Sequence, residues 1–169
     1  GKAQALESVK KIKDKNIKTI YYSPFLRTKE TALIMAGELG LNINEIIYDD
    51  RLREFGFGDL SGKSWGEYLK YEEENMLNYS SKVPSGESYQ DAKKRCGSFF
   101  EEIDKKHQNE NILVVTHGII LETLPAVLEM ADKDRSKEII NNFEPINGEI
   151  HEYEYINLPH NENYELDLH

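Results

Sequence analysis

TIYYSPFLRTKETA, residues 19–32, opens as a β-branched and aromatic run and closes as an amphipathic helix. Ile17 to Tyr22 read as a short strand. Ser23 then stands as an N-cap with Pro24 at the first helical position. Ala32, Met35, Ala36 and Leu39 line one face of the helix that follows, and Gly40 ends it. Arg27 falls at the joint, where a buried strand gives way to a helix whose first N–H groups lack partners. Such a joint favours an anion. An arginine there is equally compatible with an ordinary capped helix, so the rest of the chain has to decide.

Working outward, the same alternation repeats. Residues 2–14 read as a helix with Leu6, Val9 and Ile12 in one stripe beside Ala5. Ile46 to Tyr48 form another short strand, followed by the glycine-punctuated loop RLREFGFGDLSG, residues 51–62. Trp65 to Leu77 are helical and strongly charged, and NYSSKVPSGES, residues 78–88, is a loop. Ser88 with Asp91 forms a capping box that opens a longer helix, with Ala92, Cys96, Phe99, Phe100 and Ile103 as its apolar stripe. NILVVT, residues 111–116, is apolar on both faces, which predicts a central strand. It runs into His117-Gly118 and a helix with a kink expected at Pro125. Glu149 to Ile156 alternate as an edge strand does, and the residues from Leu158 onward offer little that could pack. Residues 1–158 are therefore read as a single domain and 159–169 as a polar tail. Strands alternating with helices predict an α/β fold with a mostly parallel central sheet and helices on both faces.

Composition narrows the function. The chain has 169 residues, enough for one core, with 21 basic against 31 acidic residues and a formal net charge of −10. That balance argues against nucleic acid or an anionic membrane as the general partner. It leaves room for a small phosphorylated ligand in a locally positive pocket. The single cysteine, Cys96, excludes an internal disulfide and suggests a reducing compartment. With no membrane-length apolar run and no signal-like start, the expectation is a soluble cytoplasmic domain.

In parallel sheets, ligands bind beyond the carboxyl ends of the strands. Arg27, Glu54 and His117 each follow a predicted strand at that end. Arginine offers a planar fork suited to phosphate. His117 alone could simply satisfy backbone groups, but His-Gly at a strand-to-helix turn lets amides approach an anion. Glu54 is either a solvated loop carboxylate or, if its surroundings keep it protonated, a general acid.

At this point the chain resembles the histidine phosphatase superfamily, also called phosphoglycerate mutase-like, over residues 1 to 156. GKAQA (1–5), YYSPFLRTKETA (21–32), RLREFGFGDLSGKSWGE (51–67), PSGESYQDAKKR (84–95) and ILVVTHGIILETL (112–124) are similar to its motifs and come in its order. The resemblance implies that Arg27 grips the phosphoryl group, His117 stabilises it during transfer and Glu54 protonates the leaving oxygen. Ser23 and Gly118 then shape the phosphate pocket. It implies no metal or other cofactor. It further implies a phosphomonoesterase of the small phosphatase branch, acting on a small phosphate ester through a phosphohistidine.

The alternatives are phosphoglycerate mutase-type transfer and a non-catalytic phosphate-binding or interaction module. The short stretch between Leu60 and Ser85 favours hydrolysis over mutase chemistry.

Two features depart from the family. Its Arg-His-Gly signature, which ends the first strand and carries the nucleophile, is not found among these residues. His107, His151, His160 and His169 lie in no comparable motif. The expectation is that a preceding part of a longer protein supplies the strand, and that residues 1–169 alone lack turnover. The strand ending at His117 should then have an open side. The second departure is Glu122, where many relatives carry arginine; its effect depends on whether it faces the pocket.

Overall fold

In the computed structural model, which describes residues 1–169, the strand at the opening joint is the middle of a three-stranded parallel sheet. β1 (Ile17–Tyr22) lies between β2 (Ile46–Tyr48) and β3 (Asn111–Val115). Ile20 faces Ile46 and Leu113, and Tyr22 faces Tyr48 and Val115. The helices are α1 (Lys2–Lys10), α2 (Leu26–Leu39), α3 (Trp65–Glu74), α4 (Tyr89–Lys106), α5 (Gly118–Leu128) and α6 (Lys133–Asn141). The α/β class, the parallel sheet and helices on both faces are as read from sequence.

The alternation along the strands explains the two layers. Ile20, Val115 and Leu113 pack with Val9 and Ile12 near α1 and with Ala32, Met35 and Ala36 of α2. Tyr21, Ile47, Ile112 and Val114 point the other way, onto Phe99, Phe100 and Ile103 of α4 and Ile120 and Leu124 of α5. The capping box at Ser88 and Asp91 is formed as expected, with Ser88 Oγ accepting from the Asp91 N–H and the Asp91 carboxylate accepting from the Ser88 N–H.

Four expectations need correction. Ser23 is not an N-cap: α2 begins at Leu26 with Phe25 in that place. Ser23 instead continues the sheet, its N–H donating to Val115 O at 3.0 Å. β3 is not central. It pairs only with β1, and its other edge is open, so Ile112, Leu113 and Val114 are only partly buried. Each forfeits part of the roughly 1.5–3 kcal/mol that full burial of such a side chain contributes. Residues 149–156 form no strand, because no strand lies beside them to complete a ladder. They cross beyond the open edge of β3, with Ile150 on the α1–α2 side and Tyr155 packed on Phe100 of α4.

The residues after Leu158 do pack. Tyr164 lies on Gly97 of α4, where an added Cβ would sit 2.5 Å from its ring, and its hydroxyl donates to Glu101 at 3.0 Å. Leu166 N–H donates to Met130 O at 2.7 Å.

Between β3 and residues 145–155 runs a groove of about 1170 Å³. Its walls are α1, α2, α4 and α5, with apolar side chains such as Ile34, Phe100, Ile103 and Leu124. Arg27, Glu54, His117 and Gly118 stand among its lining residues. No helix is long and apolar enough to cross a membrane.

Candidate active site

Three loops converge at the carboxyl end of the sheet. The β1–α2 joint presents Ser23, Phe25 and Arg27; Thr28 steadies it, its hydroxyl donating to Ser23 O at 2.7 Å. The loop after β2 presents Glu54. β3 presents His117, which is the N-cap of α5. Thr116 joins two of these loops, donating from Oγ1 to Leu52 O at 2.9 Å.

The side chains meet. Arg27 Nη2 is 2.7 Å and Nε 3.2 Å from His117 Nδ1, and Nη2 is 3.4 Å from Glu54 Oε2. Glu54 Oε2 stands 3.6 Å from His117 Nδ1. The arginine fixes the tautomer. A guanidinium only donates, so Nδ1 accepts and the proton sits on Nε2, which donates to Ser23 Oγ at 2.7 Å. The Phe25 ring packs edge-on against His117 with centroids 5.1 Å apart and lies 4.9 Å beneath the Arg27 guanidinium carbon. α5 begins at Gly118, and its first backbone bond back is from Leu121 N–H to His117 O, so the earliest amides of the helix are free for an anion.

Electrostatics sort the roles. Burial, with the nearby Arg27 and Arg95 charges, lowers His117 to about 4, so the imidazole is neutral near neutral pH. Burial raises Glu54 above the ordinary carboxylate range, against the pull of the Phe55 N–H and of Arg27 and Arg95. A carboxyl raised in this way is suited to carry a proton to a leaving group. Arg27 remains largely exposed, with 61% of its side chain open to solvent, and can turn its fork from His117 and Glu54 toward an arriving anion. No group of three or more His, Cys, Asp or Glu side chains is placed to hold a metal ion.

The other four histidines make no hydrogen bond or ion pair with these residues. His107 closes α4, its Nε2 2.9 Å from Tyr21 Oη and its Nδ1 2.8 Å from Glu110. His160 stacks on Tyr164, 4.5 Å between centroids. The aromatic residues of α3 and the loop after it are mostly packing: Tyr68 and Tyr79 are buried, and Trp65 stacks on Tyr68 at 5.0 Å.

Glu122 is half-buried and lines a second cavity beside Trp65 and Tyr89, not the groove that holds Arg27 and His117. Burial, helped by repulsion from Glu54, raises it to about 7. Its folded form therefore binds a proton more tightly than its unfolded form. The stabilisation is present in full below about pH 4.5 and is lost as the pH rises through 7. Glu122→Gln should leave stability nearly unchanged at pH 4.5 and raise it by about 1–2 kcal/mol at pH 8, after allowing for solvent screening. Urea denaturation at the two pH values checks this; a difference independent of pH would contradict a carboxyl raised by burial.

Sequence reasoning missed two participants, Glu87 and Arg95, which bind each other and the backbone around Glu54. A signal existed: Arg95 lies three residues after Ala92 and four before Phe99, a charged position beside a buried stripe.

Residues 1–155 match the family model "Histidine phosphatase superfamily (branch 1)", and the chain belongs to that superfamily. It is 32% identical over 133 residues to the Hydrogenobacter thermophilus protein named "Putative phosphoserine phosphatase 2", covering 76% of this chain and 64% of that one. It is 34% identical over 131 residues to phosphoglycerate mutase-like protein 4 of Arabidopsis thaliana, covering 73% and 56%. The chain thus spans less than two thirds of the length of these relatives. Among solved structures, Bacillus stearothermophilus YhfR superposes with a TM-score of 0.67 at 29% identity, covering 80% of this chain and 68% of that one. A mycobacterial glucosyl-3-phosphoglycerate phosphatase complexed with VO3 shares the fold, with a TM-score of 0.66 at 21% identity over 82% of this chain and 70% of that one.

Proposed function

We propose that the full-length protein is a metal-independent cytoplasmic phosphomonoesterase that hydrolyses a small phosphate ester through a phosphohistidine. One observation carries the reading: Arg27, Glu54 and His117, distant in sequence, meet within 3.6 Å of one another at the mouth of one groove. In the first step an imidazole nitrogen attacks phosphorus, the P–O bond to the alcohol breaks, and Glu54 gives its proton to the leaving oxygen. In the second, water attacks phosphorus, the P–N bond breaks, and the Glu54 carboxylate takes the proton from the water. Arg27 neutralises the equatorial oxygens in both. His117 takes the proton that lets it donate from Nδ1 to a phosphoryl oxygen once the arriving anion draws Arg27 away, and Ser23 and Gly118 shape the seat of the transferring group.

The attacking imidazole is none of the histidines in residues 1–169. The open edge of β3 supports a place for it there. Unpaired backbone groups facing an apolar groove favour one more strand. A strand between β3 and residues 149–156, ending beside His117, would deliver a histidine to Arg27. This fits the Arg-His-Gly strand that the family places first.

The test is to trap the intermediate. Full-length protein mixed with phosphorus-labelled aryl phosphate and quenched in base should retain up to one label per chain, stable to alkali and lost in acid. A label that survives acid, or none at all during turnover, would contradict a phosphohistidine.

A further inference from the structure

The loop carrying Glu54 is held by an ion pair that touches almost nothing else. Arg95 of α4 meets Glu87 with two prongs, Nη2 to Oε1 at 2.6 Å and Nε to Oε2 at 3.1 Å, and both side chains are at least nine-tenths buried. Their remaining hydrogen bonds go to the loop. Arg95 donates through Nη1 to Arg51 O and through Nη2 to Glu54 O at 3.4 Å. Glu87 Oε1 accepts from Gly56 N–H at 2.8 Å, and Oε2 accepts from Arg53 Nη2 at 3.2 Å.

The backbones interlock as well, Glu87 N–H donating to Gly56 O at 2.9 Å and Asp59 N–H to Pro84 O at 2.9 Å. They approach so closely that an added Cβ would lie 2.0 Å from Pro84 O at Gly58 and 2.2 Å from Gly56 O at Gly86. Both positions need glycine.

A buried ion pair is weak evidence of stabilisation, because desolvation offsets much of the attraction. Here its donors and acceptors are spent on the backbone on either side of Glu54. We infer that Glu87 and Arg95 are positioning residues that set the aim of the Glu54 carboxyl toward the leaving oxygen. They act through the loop and do not touch substrate. The inference rests on the phosphatase reading, and in particular on Glu54 as the acid.

The test uses full-length protein with an alkyl phosphate, which needs the proton, and p-nitrophenyl phosphate, which needs it little. Glu87→Gln should lower kcat on the alkyl ester by about 10–100-fold with KM little changed, the scale of a small misplacement of a reacting group. The loss on the aryl ester should be under about threefold. Added to Glu54→Gln, it should cost nothing further on the alkyl ester, because the acid it aims is already gone. Arg95→Lys, which keeps the charge and loses the two-pronged geometry, gives the same comparison if Glu87→Gln does not fold. Equal losses on both esters, or an undiminished loss in the double variant, would make the pair merely structural and overturn the inference. If Glu54→Gln itself shows no dependence on the leaving group while turnover persists, the acid assignment fails and the positioning role falls with it.

Discussion

Arg27→Ala in the full-length protein is expected to slow hydrolysis of alkyl and aryl esters alike, by about 10²–10³-fold, the usual loss when one donor to a developing anion is removed. The reason is where the charge sits. In the proposed mechanism Arg27 binds the transferring group, whose oxygens carry negative charge whatever alcohol departs. Its fork is held ready by His117 Nδ1 at 2.7 Å and by the face of Phe25. Glu54→Gln should behave differently. It removes the proton and leaves the phosphoryl contacts, so the loss should be about 10²-fold or more on an alkyl ester and small on an activated one. Steady-state kcat/KM for the two variants on the two esters gives four numbers. The account expects three large losses and one small one. Equal losses for Glu54→Gln on both esters would remove its role as proton donor.

The fold was legible where the local signals agreed. Strand, turn and helix at residues 17–39 followed from one β-branched run and one apolar stripe, and Ser88 with Asp91 fixed the start of α4. The three residues of the site were legible because each follows a strand at the same end of a parallel sheet. Ser23 was misplaced because a serine before proline satisfies the rule for a cap and the needs of a site equally well. Only the position of His117 Nε2 decides between them.

β3 was read as central because both its faces are apolar, and both are indeed turned toward helices. Whether an apolar strand is flanked on two sides depends on pairing, which periodicity does not report. The alternation of residues 149–156 misled for the same reason, since an alternating segment becomes a strand only beside another one. Tyr164 carried no visible signal, because its partner, Gly97, is a flat spot on a helix and not an apolar residue. The position of Arg95 beside the α4 stripe was visible, but its pairing with Glu87 and their bonds to the backbone around Glu54 required the tertiary structure.

The second large effect concerns residues 1–169 by themselves. On the proposed reading they hold the groups that recognise and neutralise a phosphoryl group and keep an acid at hand, and the attacking imidazole comes from outside them. An enzyme deprived of its nucleophile typically falls by about 10⁶-fold, retaining only what electrostatics and binding contribute. This chain should therefore bind phosphate or an analogue weakly at Arg27 and turn nothing over. The open edge of β3 makes a companion expectation. The β3 amides that point away from β1 have no partner, so they should exchange with solvent faster than those of β1, which is paired on both sides.

Hydrolysis of p-nitrophenyl phosphate by residues 1–169 and by the full-length protein, side by side at matched concentration, tests the central claim most directly. The account predicts turnover by the full-length protein and none above background by residues 1–169. Equal turnover by the two would show that the nucleophile lies among the residues described here and that the open edge of β3 has no part in the chemistry.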